Sequence, residues 1–259
     1  MRRNKRHRKN KLIILLIILI IIIIGSVVII KSFTSTNKAE PLPEKQDTTS
    51  QQEYDYSSPV PKSPAVENTY FDDAIFIGNS RTEGFFLYSG LSNSKVYAHK
   101  GLMVNTFFTD KIYTQNEKKV TMLDAIKSDS SFNKAYIMLG MNELGWGYPD
   151  LFIEKYSKII DEVRNVNPNA IIYIQSIIPV SKDRSLNDKI YNMDNINKFN
   201  KLIKQMAQNK KVYYINLSEK LSNDEGFLPP DVSYDGIHLK SDYCKKWLKY
   251  LKTHTVKEA

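Results

Sequence analysis

The stretch Phe76-Ile77-Gly78-Asn79-Ser80 is an apolar run that leads, through a glycine and an asparagine, directly into a serine. Together with the preceding Ala74 and Ile75 it predicts a short strand over Ala74–Ile77, apolar on both faces. Such strands are typical of parallel sheets that helices cover on both sides. The stretch therefore predicts an α/β fold and places Ser80 just beyond the carboxyl end of a strand.

The same alternation of short apolar strands and amphipathic helices continues along the chain. Four more strands are predicted at Lys95–Ala98, Ala135–Leu139, Ala170–Gln175 and Val212–Ile215. Apolar residues at helical spacing predict helices over Val120–Ser128, Pro149–Val166, Asp194–Gln208 and Lys240–Leu251. This alternation predicts a three-layer α/β/α sandwich around a five-stranded parallel sheet with right-handed crossovers.

The predicted α/β domain is expected to span residues 71–259. The first 70 residues differ from it in composition. Residues 1–11 form a basic tail that carries seven of the positive charges in a formal net charge of +9. Residues 12–30 are an uncharged apolar run, which as a helix would be about 28 Å long and would match the hydrocarbon core of a bilayer. Residues 31–70 hold half of the prolines among polar residues, a composition that predicts a disordered linker.

This order of segments predicts a single-pass cell-membrane protein with a signal-anchor helix. Because basic residues stay on the cytoplasmic side, the N-terminus is expected inside the cell and the domain outside it. A cleavable signal peptide is the alternative, although its apolar region is usually only about 7–15 residues long. The basic residues lie on the cytoplasmic side in this arrangement, so nucleic acid is not an expected partner of the domain.

Three further motifs supply the groups that a nucleophilic serine needs. Gly101 follows the second predicted strand, and Asn142 follows the third within Leu139-Gly140-Met141-Asn142-Glu143. Asp235-Gly236-Ile237-His238 places an acid and an imidazole three residues apart. Because carboxyl ends of parallel strands share one edge of the sheet, we expect Ser80, Gly101 and Asn142 to converge there. A serine, a base, an acid that orients the base and amide donors are the parts of an acyl-transfer site.

Each of these residues also has a purely structural interpretation. Ser80 followed by Glu83 is a capping box for a short helix. Asn142 would be a turn residue, Glu143 a solvated acid in the first turn of a helix, and His238 a surface histidine. The joint occurrence of the motifs in a suitable order favours the catalytic interpretation over these alternatives.

No motif in the sequence indicates a cofactor site. Cys244 is the only cysteine, which excludes an intrachain disulfide, and we expect it to pack in a helix. The four histidines form no pattern of metal-ligand spacing. Neither a metal ion nor another cofactor is therefore expected.

Together the motifs resemble those of the SGNH (GDSL-type) hydrolases over residues 71–253. The matching blocks are Gly78-Asn79-Ser80, Gly101, Gly140-Met141-Asn142-Glu143 and Asp235-Gly236-Ile237-His238. The resemblance implies a flavodoxin-like fold, a triad of Ser80, Asp235 and His238, and an oxyanion hole formed by Ser80, Gly101 and Asn142. The family commonly has Asp at the positions that Asn79 and Glu143 occupy in this chain.

The resemblance implies ester hydrolysis, thioester hydrolysis or acyl transfer on lipids, acetylated sugars or small esters. With the predicted external location it favours an acetylesterase of cell-wall or extracellular carbohydrate. An O-acetyltransferase of wall glycan, and a non-catalytic module that binds glycan or an assembly partner, are the alternatives. Residues expected to bind substrate are Asn79, Glu143, Trp146 and Tyr234, with Tyr88 and Tyr148 near the rim; packing roles are the alternative for these aromatic residues.

Overall fold

The computed structural model describes residues 54–129 and 131–257. Its strands are β1 (Ala74–Gly78), β2 (Lys95–Ala98), β3 (Tyr113–Gln115), β4 (Lys118–Val120), β5 (Lys134–Met138), β6 (Ile171–Gln175) and β7 (Tyr213–Ile215). Five of them form a wholly parallel sheet in the order β2-β1-β5-β6-β7. The remaining two, β3 and β4, form a separate antiparallel hairpin.

The α-helices are α1 (Ser80–Tyr88), α2 (Thr106–Thr109), α3 (Met122–Lys127), α4 (Pro149–Val166), α5 (Lys182–Asn187), α6 (Met193–Lys210), α7 (Ser218–Leu221) and α8 (Ser241–Leu251), the last two of which follow β7. Two short 3-10 helices span Asn68–Phe71 and Met141–Glu143. The structure confirms the predicted five-stranded parallel sheet, and the predicted strands and helices differ from the observed ones by at most two residues at either end. The β3–β4 hairpin was not predicted.

The two faces of the sheet bury two separate hydrophobic clusters. Along β1, Ile75 and Ile77 belong to one cluster and Phe76 to the other, as the alternation of side chains along a strand requires. On the Phe76 face, aromatic rings stack across neighbouring strands. The ring centroids of Phe76 and Tyr136 lie 4.8 Å apart, and those of Tyr136 and Tyr173 lie 4.5 Å apart. Helices α1 and α8 cover this face, and α3, α4 and α6 cover the other, which makes three layers.

Residues 54–70 correct the expected linker boundary, because they are part of the same compact unit as the domain. Val60 is buried, and its N–H donates to the carbonyl of Tyr214 at 2.8 Å. The N–H of Ser63 donates to the carbonyl of Thr253 at 2.7 Å, and the ring of Tyr54 packs edge-on against that of Tyr213. This segment builds no core of its own; it adds apolar groups to the core of the domain.

The remaining part of the expected linker, the basic tail and the predicted anchor at residues 12–30 lie outside the described residues. Among residues 54–129 and 131–257, no helix has both the length and the apolar character needed to span a bilayer. The anchor and the orientation of the chain therefore stay predictions from the sequence.

Candidate active site

Ser80 lies where β1 turns into α1 at the carboxyl edge of the sheet. Gly78 ends the strand, and a Cβ atom there would lie 2.9 Å from the carbonyl oxygen of Met138 on the neighbouring strand. Only glycine allows so close an approach. Asn79 then precedes the helix and Ser80 is its first residue, so the serine hydroxyl is presented at the helix N-terminus.

Asn79 is the helix cap, a role that corrects two sequence-based expectations. Its side-chain oxygen accepts the N–H of Arg81 at 3.1 Å, so Ser80 is not the capping residue. With a relative exposure of 1%, Asn79 is also not placed to bind substrate. An uncharged amide oxygen performs this capping as well as a carboxylate does, which gives a physical reason why Asn is compatible with this position.

Ser80, His238 and Asp235 are brought together in a continuous series of hydrogen bonds. The Ser80 Oγ lies 3.0 Å from the His238 Nε2, and the His238 Nδ1 lies 2.8 Å from the Asp235 Oδ2. The second carboxylate oxygen, Oδ1, accepts the backbone N–H groups of Ile237 and His238 at 2.9 and 2.8 Å. The carboxylate therefore holds both the ring and the backbone of His238.

The electrostatic surroundings keep Asp235 ionised. Its partial burial by itself raises the pKa of the carboxyl group. Hydrogen bonds from the His238 backbone and ring and from the Ile237 N–H outweigh that effect and lower the pKa to about 2. At neutral pH Asp235 is therefore an anion beside the imidazole, suited to stabilise an imidazolium.

The loop that carries Asp235 and His238 is fixed by the segment after β6. The side chain of Arg184 donates to the carbonyl of Asp235 from Nε at 3.2 Å and from Nη2 at 2.9 Å. The N–H of Ser181 donates to the carbonyl of Gly236 at 2.9 Å. Gly236 has a φ of 82°, and a Cβ atom there would lie 2.5 Å from the Ser181 Oγ. A glycine is therefore required between the acid and the base.

Arg81, the residue that follows Ser80, anchors that same segment. Its buried guanidinium donates to the carbonyl oxygens of Ile178 and Pro179. Burial lowers the pKa of Arg81 to about 9, while the charge of Asp235 acts in the opposite direction. The side chain thus remains a cation at neutral pH and ties α1 to the loop that contacts Gly236. No pattern in the sequence indicates these roles of Arg81 and Arg184.

Gly101 and Asn142 lie on the two loops that flank Ser80. Because the sheet order is β2-β1-β5, the loops after β2 and β5 emerge on either side of the β1 end. Gly101 is exposed in the first loop, and Asn142 lies in the 3-10 helix after β5. The Asn142 Nδ2 donates to the carbonyl of Leu102 at 2.9 Å, which links the two loops. The second N–H of this amide is the one suited to bind a ligand.

Glu143 is a buried structural residue, which corrects its expected role in substrate binding. It is 0% exposed, and its Oε1 accepts the N–H of Val104 at 2.7 Å. Its Oε2 has no hydrogen-bond partner among the described residues. Burial raises the pKa of Glu143 to about 7, and the Val104 N–H and backbone N–H groups of its own turn only partly oppose this rise. Glu143 therefore joins the loop after β2 to the turn that carries Asn142.

The aromatic residues expected at the rim divide into two groups. Tyr88 and Tyr234 line a pocket together with Ser80 and His238. Trp146 is half-buried against the hydrophobic cluster and does not line that pocket, and the exposed Tyr148 does not line it either. Two of the four candidate aromatic residues thus line the same pocket as Ser80. Within the part of the chain that the structure describes, no cluster of residues suited to hold a metal ion is found.

The fold and the serine at its sheet edge define a class: the α/β-sandwich enzymes that hydrolyse esters. The model of the GDSL-like Lipase/Acylhydrolase family matches residues 76–242, and the chain belongs to that family. A comparison with the curated proteins finds no match.

Solved structures with the same fold have low sequence identity to the chain. One, described provisionally as a platelet activating factor from Streptococcus pneumonia, is 17% identical with a TM-score of 0.57, covering 71% of this chain and 89% of that one. A GDSL-like lipase from Bacteroides thetaiotaomicron is 15% identical with a TM-score of 0.51, covering 71% and 85%. A carbohydrate acetylesterase from Sinorhizobium meliloti is 14% identical with a TM-score of 0.51, covering 69% and 95%.

Proposed function

We propose that this ester-hydrolysing enzyme removes acetyl groups from cell-wall or extracellular carbohydrate by a serine mechanism. Ser80 is the nucleophile, His238 the general base and acid, and Asp235 the residue that orients the imidazole. The observation that carries the proposal is the hydrogen-bonded series from Asp235 through His238 to Ser80, with separations of 2.8 and 3.0 Å. These separations are within the range that proton transfer requires.

In the first half of the reaction, Ser80 Oγ forms a bond to the ester carbonyl carbon as its proton passes to the His238 Nε2. The carbonyl π electrons move to oxygen, which becomes an oxyanion. When the tetrahedral intermediate collapses, the bond to the alcohol oxygen breaks and His238 returns the proton to that leaving group. Ser80 then carries the acetyl group, and Asp235 has stabilised the transient imidazolium.

In the second half, water takes the place of the alcohol. His238 removes one proton from the water as its oxygen attacks the acyl-serine, and that proton then passes to Ser80 Oγ as acetic acid leaves and ionises to acetate in solution. The oxyanion in both halves is bound by the backbone N–H groups of Ser80 and Gly101 and by the Asn142 amide. Loss of one donor of this kind typically lowers turnover by about 10²–10³.

The choice of an acetylated carbohydrate rests on two kinds of support. The uncharged run at residues 12–30 and the basic tail before it favour a domain held outside the cell, where it would meet wall and secreted glycans. The solved structures with this fold include one described as a carbohydrate acetylesterase. Asn79, where the family commonly has Asp, caps the helix through an uncharged oxygen, a role that needs no carboxylate beside Ser80.

The test measures acetate release from a panel of acetylated glycans and simple acetyl esters. We expect hydrolysis by the wild type and a loss of about 10⁴-fold or more in Ser80→Ala and His238→Ala. Ser92→Ala is the matched control, because Ser92 is an exposed serine in the loop before β2, at the opposite edge of the sheet. Full activity of either triad variant contradicts the mechanism, and activity confined to esters without a sugar contradicts the proposed substrate.

A further inference from the structure

A pocket of about 220 Å³ opens beside the Ser80 hydroxyl, between α1 and the loop that carries His238. Besides these two residues its lining includes Glu83, Leu87 and Tyr88 from α1, and Tyr234 from the loop. Pockets for drug-sized ligands are usually larger, about 300–1,000 Å³. We refer to this cavity as the Glu83 pocket; its size suits one ring rather than a long chain.

The position of the Glu83 pocket indicates which half of an ester it faces. In the proposed mechanism the leaving oxygen receives its proton from the His238 Nε2, so the alcohol half must lie on the His238 side of Ser80. The oxyanion donors Gly101 and Asn142 lie on the loops after β2 and β5. Neither residue lines the Glu83 pocket, whereas His238 does. The pocket therefore lies on the alcohol side of the scissile bond.

The chemistry of the lining suits a ring that carries hydroxyl groups. Tyr234 is 70% exposed and Tyr88 is 43% exposed, so both rings are available for contact with the C–H face of a ligand. The Lys240 Nζ lies 5.8 Å from the centroid of the Tyr234 ring and interacts with one of its faces. Among the described residues, the Glu83 carboxylate has no ion-pair or hydrogen-bond partner. A carboxylate whose oxygens have no partner is a strong hydrogen-bond acceptor for ligand hydroxyl groups.

We infer that the Glu83 pocket binds the alcohol half of the ester substrate, as one neutral, hydroxyl-bearing ring such as a sugar residue. Glu83 accepts hydrogen bonds from its hydroxyl groups, and Tyr234 packs against its face. The inference rests on the proposed function and extends it, because it assigns the residues that select the alcohol. With the alcohol half in the Glu83 pocket, the acyl group lies outside that pocket. Glu83 and Tyr234 therefore do not select the size of the acyl group.

The test uses the full chain and four esters that separate the two halves of the substrate: an acetylated sugar, p-nitrophenyl acetate, p-nitrophenyl butyrate and ethyl acetate. An acetylated sugar and p-nitrophenyl acetate differ in the alcohol, whereas p-nitrophenyl acetate and p-nitrophenyl butyrate differ in the acyl group. In Glu83→Gln we expect kcat/KM for the acetylated sugar to fall about tenfold relative to p-nitrophenyl acetate, the worth of one hydrogen bond to a charged group. The acetate-to-butyrate ratio is expected to stay within about twofold of the wild-type ratio.

Tyr234→Ala and Glu154→Gln complete the design. Tyr234→Ala is expected to lower kcat/KM for both ring-bearing acetates relative to ethyl acetate. Glu154 is an exposed residue of α4 outside the pocket, so Glu154→Gln controls for the loss of one carboxylate and is expected to match the wild type. A change in the acetate-to-butyrate ratio, or an equal loss on every ester, overturns the assignment while the proposed function stands. Absence of wild-type hydrolysis of all the esters overturns both.

Discussion

Replacement of Glu143 by Gln provides a quantitative test of the buried link between the two loops that flank Ser80. Gln keeps the size of the side chain and an oxygen that accepts the Val104 N–H, but it does not titrate. In the wild type, burial raises the pKa of Glu143 from 4.5 to about 7. A difference of this size between the pKa values of the unfolded and folded states corresponds to about 3 kcal/mol of unfolding free energy.

The direction in which pH changes the unfolding free energy depends on whether the folded or the unfolded state releases the Glu143 proton at the lower pH. Below pH 4.5 the carboxyl of Glu143 is protonated in both states, and its contribution to stability is fully present. Between pH 4.5 and about 7 the unfolded chain ionises while the folded protein keeps its proton, so the wild type loses stability as the pH rises. The Gln variant has no such loss, so we expect the difference in stability, wild type minus variant, to fall by about 3 kcal/mol between about pH 4 and pH 8.

The assay is urea unfolding of the full chain, followed by tryptophan fluorescence at several pH values. Other titrating groups are common to both proteins and cancel in the difference. The exposed Glu154 supplies the matched control, and Glu154→Gln is unfolded under the same conditions to control for the loss of one carboxylate. If the stability difference between the wild type and Glu143→Gln stays constant within about 0.5 kcal/mol over this range, the reasoning is refuted, because Glu143 then titrates alike in both states.

Three further predictions concern the support of the site. Asp235→Asn is expected to lower kcat by about 10⁴ with an unchanged circular dichroism spectrum, because the amide cannot stabilise the imidazolium; a loss under about tenfold contradicts that role. Arg184→Met removes both donors to the Asp235 carbonyl and is expected to lower kcat about tenfold or more, with only partial recovery in Arg184→Lys, which lacks the forked geometry; full activity of the Met variant contradicts the positioning role. Asn79→Ala is expected to reduce the unfolding free energy by about 1 kcal/mol and Asn79→Asp to restore it, as urea titration will show; equal stability of the Ala variant contradicts the cap.

The sheet was predictable because its strands are apolar on both faces. This pattern is typical of parallel strands that helices cover on both sides. Ile75, Phe76 and Ile77 are buried on alternate sides of the sheet, and a sequence pattern without polar interruption indicates this directly. The β3–β4 hairpin lacks such a signal. Its turn residues Asn116 and Glu117 have φ values of 47° and 65° without a glycine, and exposed lysines occupy the strand that follows.

The residues of the hydrogen-bonded series from Asp235 to Ser80 were also predictable, whereas those that support them were not. Ser80 and His238 come from motifs in which spacing and order carry information. Arg184 contacts Asp235 across 51 residues of sequence, and only the fold brings the two together. Glu143 was expected to bind substrate, with a solvated acid in the first turn of a helix as the alternative, yet the packing of the loop after β2 buries it. Long-range packing decides such positions, and local pattern does not encode it.

Covalent labelling by a fluorophosphonate probe tests directly whether Ser80 is the nucleophile, because the probe reacts with serine hydroxyl groups that an adjacent base activates. We predict one adduct per chain, located on Ser80 by peptide mass spectrometry. We also predict no adduct in Ser80→Ala and a strongly reduced labelling rate in His238→Ala, while the control Ser92→Ala labels at the wild-type rate. A folded wild-type protein that stays unlabelled, or an adduct on another residue, would contradict the assignment of Ser80 as the nucleophile.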